Sequence, residues 1–185
     1  MGLDMYMSKK TYVKQWSHNQ PKDQFTVSVK RGTKKFTAIK PERVSYVVEE
    51  IGYWRKFNAL HNWFVRNTQD GEDRCQESYV NSEQMEELLQ TLLKVREVLE
   101  TAPKKKVEVQ TGWSNGEKMM EEEEVYDIDE DTIEDLFPTT SGFFFGGTEY
   151  DEYYKDEVER TIKFLEDLKV EDPEWSGDYY YQASW

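Results

Sequence analysis

The stretch RVSYVVEEIGYWRKFNALHNWFVRN, residues 43–67, decides how the first half of this chain is divided between strand and helix. Val44, Val47, Val48, Ile51, Trp54, Phe57, Ala59, Leu60, Trp63 and Phe64 recur mostly at steps of three and four. That spacing predicts an amphipathic helix over 43–67, opened just after Pro41. Gly52 interrupts it and marks either a bend or the close approach of another element. The helix is expected to end near Thr68, before the acidic loop Asp70-Gly71-Glu72-Asp73.

Upstream the period changes from helical to two. Leu3, Met5 and Met7 alternate with Asp4, Tyr6 and Ser8, which predicts a strand over 3–13. A polar loop containing Pro21 follows. Phe25, Val27 and Val29 alternate again, then Phe36 and Ala38. Between them KRGTKK, residues 30–35, reads as a hairpin with Gly32 at its tip.

Downstream, Asn81 caps a helix over 82–102, with Gln84 as its reciprocal partner. Met85, Leu88, Leu89, Leu92, Val95, Val98 and Leu99 form its apolar stripe, and Pro103 stops it. Val107 to Gln110 suits a short strand. Residues 121–135 then hold ten acidic side chains and no basic one. Such a block repels itself, so an acidic mobile surface segment is expected at about 115–137. The run Gly142-Phe143-Phe144-Phe145-Gly146-Gly147 requires the backbone to turn or the rings to point to opposite faces. Thr148 and Asp151 then open a helix over 148–170. Its stripe is Tyr150, Tyr154, Val158, Ile162, Leu165 and Leu168, and Pro173 ends it. The aromatic tail Tyr179-Tyr180-Tyr181 to Trp185 predicts a final strand, docked in the sheet or against the first helix. The expected fold class is therefore α+β: one domain over 1–185, an antiparallel sheet with about three packed helices.

Charge is segregated along the chain. Residues 1–80 carry 14 Lys/Arg against 9 Asp/Glu, a net of +5; residues 81–185 carry 10 against 29, a net of −19. Electrostatics should therefore steer association. Six Trp, 12 Tyr and 9 Phe supply the apolar area a folded core needs, which argues against global disorder. The single Cys75 forbids an intrachain disulfide and suits a reducing compartment. No apolar run approaches the roughly 20 residues of a membrane span. The opening residues do not read as a signal peptide, and Tyr6 stands where a myristoylation motif needs Ser or Thr. A cytoplasmic protein with no membrane partner is expected.

Chemistry-bearing residues are sparse. On the predicted first helix Trp54, Asn58 and His61 share a face, and with Tyr150 they could line a small-ligand pocket. The alternative is an aromatic core helix with a hydrogen-bonded structural histidine. Neither His61, His18 nor Cys75 has a second ligand at zinc spacing. Asp127, Asp129, Asp131 and Glu134 lack the glycine and glutamate offsets of a calcium loop. The 142–147 loop lacks the Lys-Ser/Thr ending of a phosphate loop. No metal, cofactor or catalytic residue is assigned, and the reading leans away from an enzyme. The carboxylates of Glu121, Glu122, Glu123, Glu124, Asp127, Asp129, Glu130 and Asp131 are spaced to occupy a Lys/Arg channel built for phosphates.

The opening MGLDMY (1–6), the block YWRKFNALHNWFV (53–65), the block GFFFGGTEYDEYY (142–154) and the ending Ser184-Trp185 resemble a widespread family of small phage and prophage proteins. The resemblance implies a phage or mobile-element origin and brings no chemistry with it. By analogy of size and charge alone, some small acidic phage proteins block host defence nucleases, CRISPR effectors included. The leading expectation is therefore a non-enzymatic inhibitor that binds a basic host defence protein through its acidic surface. One alternative is a ligand-binding protein or enzyme using the Trp54/Asn58/His61/Tyr150 pocket. A second is a nucleic-acid binder using the basic hairpin 30–35. The oligomeric state is left open.

Overall fold

The computed structural model describes residues 2–14, 16, 18–114 and 117–185, with the backbone alone at Asp23, Trp113, Ser114, Glu130, Asp131 and Glu134. In chain order the elements are β1 (Asp4–Tyr12), β2 (Lys30–Arg31), β3 (Lys34–Lys35), β4 (Tyr46–Arg55), α1 (Asn58–Thr68), β5 (Ser78–Val80), α2 (Ser82–Thr101), β6 (Lys104–Ser114), β7 (Glu117–Tyr126), α3 (Glu130–Leu136), α4 (Glu152–Glu171) and β8 (Asp178–Ser184). The fold is α+β, with three helices of eleven to twenty residues and the shorter α3.

The alternation read in residues 3–8 builds the centre of the main sheet. Its strand order is β4-β1-β8-β5, antiparallel throughout. Met5 pairs with Trp54 on one side and Ala183 on the other; Met7 pairs with Gly52 and Tyr181. Leu3, Met5, Met7, Tyr179, Tyr181 and Val80 on this face are fully buried. Each such side chain contributes roughly 1.5–3 kcal/mol by leaving water. The opposite face carries Asp4, Tyr6, Ser8, Tyr53, Tyr79, Tyr180 and Gln182 and is half or fully exposed. The C-terminal aromatic segment is thus a sheet strand, and Phe64 of α1 stacks on its Tyr181 ring at 3.9 Å.

The helices lie on the buried face. Asn81 accepts from the Gln84 N–H at 2.8 Å, and the Gln84 side chain accepts from the Asn81 N–H at 2.9 Å, which closes the expected capping box of α2. The cap of α4 is Asp151, accepting from the Tyr154 N–H at 2.8 Å, rather than Thr148. Leu88, Leu92, Val95 and Leu99 of α2 share one core with Val158, Ile162 and Leu165 of α4.

The helix predicted over 43–67 is corrected in its first half. Residues 46–55 are strand β4, laddered to β1 from Asp4↔Arg55 to Tyr12↔Tyr46. Tyr46, Val47, Val48, Ile51, Tyr53 and Trp54 are β-branched or aromatic, types that suit a pleated surface once a partner strand lies alongside. Lys56, at φ +60°, turns the chain from strand into α1. Gly52 does mark a close approach: a Cβ there would sit 2.5 Å from the Trp54 ring and 3.1 Å from Phe164. The alternations at 25–29 and 36–39 do not become strands. Only the two-residue β2 and β3 flank Gly32, whose φ is +63°. No neighbouring strand pairs with them, and isolated ribbons this short gain little.

Candidate functional site

The acidic block becomes a strand and a helix. Residues 117–126 form β7, paired with β6 in a two-stranded ribbon. Ten residues at 3.4 Å make it about 34 Å long. Its base is anchored by the buried Val125 and Tyr126, and its residues 117–122 are exposed. A β-strand sends successive side chains to opposite faces, so the four consecutive glutamates divide in two.

The three lysines of β6 each meet a carboxylate of the chain, one of them Glu122. Lys106 Nζ lies 3.2 Å from Glu122, and Lys105 Nζ lies 2.6 Å from Asp127. Lys104 pairs with Glu152, which also accepts from the Tyr126 hydroxyl at 2.7 Å. The expected acidic surface is therefore partly neutralised from within.

The other face gathers carboxylates, with Lys105 opposite Val125 at its base. Glu121 and Glu123 lie on the face of β7 that meets the start of α4, where Val125 bridges to Asp151 through the backbone. Among the described residues Glu121, Glu123, Glu149 and Asp151 form no ion pair. The Glu123 carboxyl is pushed above the ordinary glutamate range by partial burial, by a hydrogen bond to Asp151, and by the charges of Asp151, Glu149 and Glu121. Asp151 also caps α4.

Of the remaining predicted contact residues, Glu124 lies opposite Lys106 in the ladder and is exposed. Asp129 caps α3, its Oδ2 accepting from the Thr132 hydroxyl at 2.7 Å. The side chains of Glu130 and Asp131 lie outside the described residues.

Trp54, Asn58 and His61 do not share one helix face. Trp54 sits on β4, and its indole N–H donates to the Thr161 hydroxyl at 2.9 Å. Asn58 donates to the carbonyls of Gly147 (2.7 Å) and Phe145 (3.3 Å) and accepts from the Thr140 N–H at 3.0 Å, so it holds the phenylalanine loop against α1. Tyr150 packs edge-on against Tyr154. His61 is 2% exposed. Its Nε2 lies 2.9 Å from Asp73 and its Nδ1 2.7 Å from the Tyr181 hydroxyl. A carboxylate accepts, so Nε2 carries the proton and Tyr181 donates to Nδ1. Burial lowers the His61 pKa, partly offset by Asp73. The cavity beside Asn58, bounded by Lys56, Thr139, Gly147 and Tyr154, is about 30 Å³, room for one water.

Asp73 and Trp185 were missed by sequence reasoning. The Trp185 indole N–H donates to Asp73 at 2.8 Å and ties the last residue to the loop after α1. No local pattern joins positions 112 residues apart. Cys75 is half-buried with φ +55°. Among the described residues no three His, Cys, Asp or Glu side chains are arranged to hold a metal, and no helix is long and apolar enough to cross a membrane. No family model, curated protein or solved structure matches this chain.

Proposed function

We propose that this chain is a non-enzymatic binding protein of phage or mobile-element origin. It grips and inhibits a basic, nucleic-acid-handling host protein, of which a CRISPR nuclease is the type, in the bacterial cytoplasm. The observation that carries this reading is the group Glu121, Glu123, Glu149 and Asp151 on one side of the ribbon, none of them in an ion pair among the described residues. Same-face carboxylates on a strand recur at about 6.8 Å, twice the 3.4 Å axial rise of phosphates along one nucleic-acid strand. A row of Lys or Arg built for phosphates can therefore meet them with charge-assisted hydrogen bonds. The exposed ribbon edge adds unpaired backbone groups for the partner.

The pocket reading is less favoured, because the polar atoms of Trp54, Asn58 and His61 are already engaged within the chain. The test is affinity capture from a bacterial host lysate, wild type beside Glu121→Gln/Glu123→Gln. A basic protein released by salt and absent from the variant's eluate is expected. An identical set of proteins on both baits overturns the reading.

A further inference from the structure

The chain between β1 and β4 concentrates the opposite charge. Residues 14–43 hold eight Lys/Arg against two Asp/Glu, a net of +6 in a chain of −14. Among the described residues Lys14, Lys22, Lys30, Arg31, Lys34, Lys35, Lys40 and Arg43 form no ion pair. The β2–β3 register sets Lys30 opposite Lys35 and Arg31 opposite Lys34. Like charges directly opposite are destabilising, so the hairpin tip is held in an arrangement that an external polyanion would relieve.

Exposed rings lie within this stretch and at its two ends in the chain. Tyr12 and Tyr46 pair across β1 and β4 with centroids 5.1 Å apart. The Trp16 indole N–H donates to the Tyr12 hydroxyl at 2.8 Å. Trp16 lies nearly parallel to His18, planes within 14°, and Lys14 Nζ sits 4.7 Å above the indole. Tyr12, Trp16 and Tyr46 are 40%, 47% and 52% exposed and touch one another in turn. Past Val13, a cleft of about 410 Å³ is walled by Phe25, Val27, Pro41 and Val44.

We propose that Lys14, Lys30, Arg31, Lys34, Lys35 and Lys40, with the rings of Tyr12, Trp16 and Tyr46, bind single-stranded nucleic acid. Cations interleaved with exposed rings track a phosphate backbone while bases stack, without reading sequence. An acidic protein would satisfy the lysines but leave the rings without a role. In the chain, Asp23 and Glu42 fall within the stretch 14–43 and Glu49 and Glu50 follow it. Charge beyond about 8 Å is screened at physiological salt. The site shares no residue with the acidic ribbon.

The test is fluorescence anisotropy of the full chain with a labelled oligothymidine about 20 nucleotides long, between about 50 and 300 mM salt. Binding that weakens steeply with salt is expected. Lys30→Gln/Arg31→Gln/Lys34→Gln/Lys35→Gln should weaken it at least about tenfold. Tyr46→Ala should weaken it about fivefold or more, while Tyr46→Phe, which keeps the ring and the fold, should retain it. Glu121→Gln/Glu123→Gln should leave it unchanged. No binding at the lowest salt overturns the proposal. So does equal affinity for a DNA duplex, or displacement by polyglutamate together with an unaffected Tyr46→Ala, which would assign the lysines to an acidic protein.

Discussion

The Tyr181 hydroxyl donates to Nδ1 of His61 at 2.7 Å, and both side chains are buried. With Asp73 on Nε2, every polar atom of the ring is satisfied. Tyr181→Phe leaves a buried imidazole acceptor without a donor and should cost about 1–2 kcal/mol, read by urea denaturation. Nitrogen NMR of the wild type should show the Nε2–H tautomer. Burial holds the folded pKa of His61 below the unfolded value of about 6.5. The folded state then binds fewer protons, so this contribution is complete above about pH 6.5 and is lost as pH falls below it. The Tyr181→Phe variant should keep that direction of pH dependence.

Asp172 closes α4 and is the second acid-sensitive point. Burial alone would raise its carboxyl. The N–H and hydroxyl of Ser176, the Tyr179 hydroxyl and the Gly177 N–H outweigh that and hold it well below the ordinary range. A depressed folded pKa means stability present above about pH 4 and lost as pH falls through the folded value. Asp172→Asn places an amide where donors already point. It should cost about 2–3 kcal/mol at pH 7 and flatten the acid limb of the stability curve below pH 4.

Glu123 behaves in the opposite sense. Its carboxyl is raised, so folding is helped at low pH and opposed as pH rises through the folded value. Glu123→Gln should stabilise the chain by a few tenths of a kcal/mol near pH 7, the scale of exposed charge pairs. The same change should weaken capture of the basic partner. A variant that loses stability and binding together would instead indicate a disrupted ribbon.

Gly52→Ala tests the correction at β4. The new methyl meets the Trp54 ring and Phe164. A loss of about 1–3 kcal/mol in melting experiments is expected, because the indole must leave its place against Thr161. A neutral result would show that the ring can shift freely.

The candidate site was partly legible in the chain. Four consecutive glutamates announced an acidic surface, but the pairing of Glu122 with Lys106 and the approach of Glu123 to Asp151 appear only when β7 is laddered to β6 and meets α4. Lys104, Lys105 and Lys106 follow a helix, and their natural first reading is as partners of its negative end. Their engagement with Glu152, Asp127 and Glu122 depends on distant segments arriving beside them. The Trp54–Asn58–His61 grouping assumed one continuous helix, and the turn at Lys56 separates Trp54 from the other two.

Local interactions determined what could be read without the fold: the capping box at Asn81 and Gln84, the stripes of α2 and α4, the alternation of β1, and the split of charge between the halves. These depend on neighbours within four residues or on composition. The identity of residues 46–55 was decided by tertiary structure alone. Their spacing fits a helix as well as a strand, and only the open edge of β1, more than 30 residues earlier, supplies the hydrogen bonds that make the strand win.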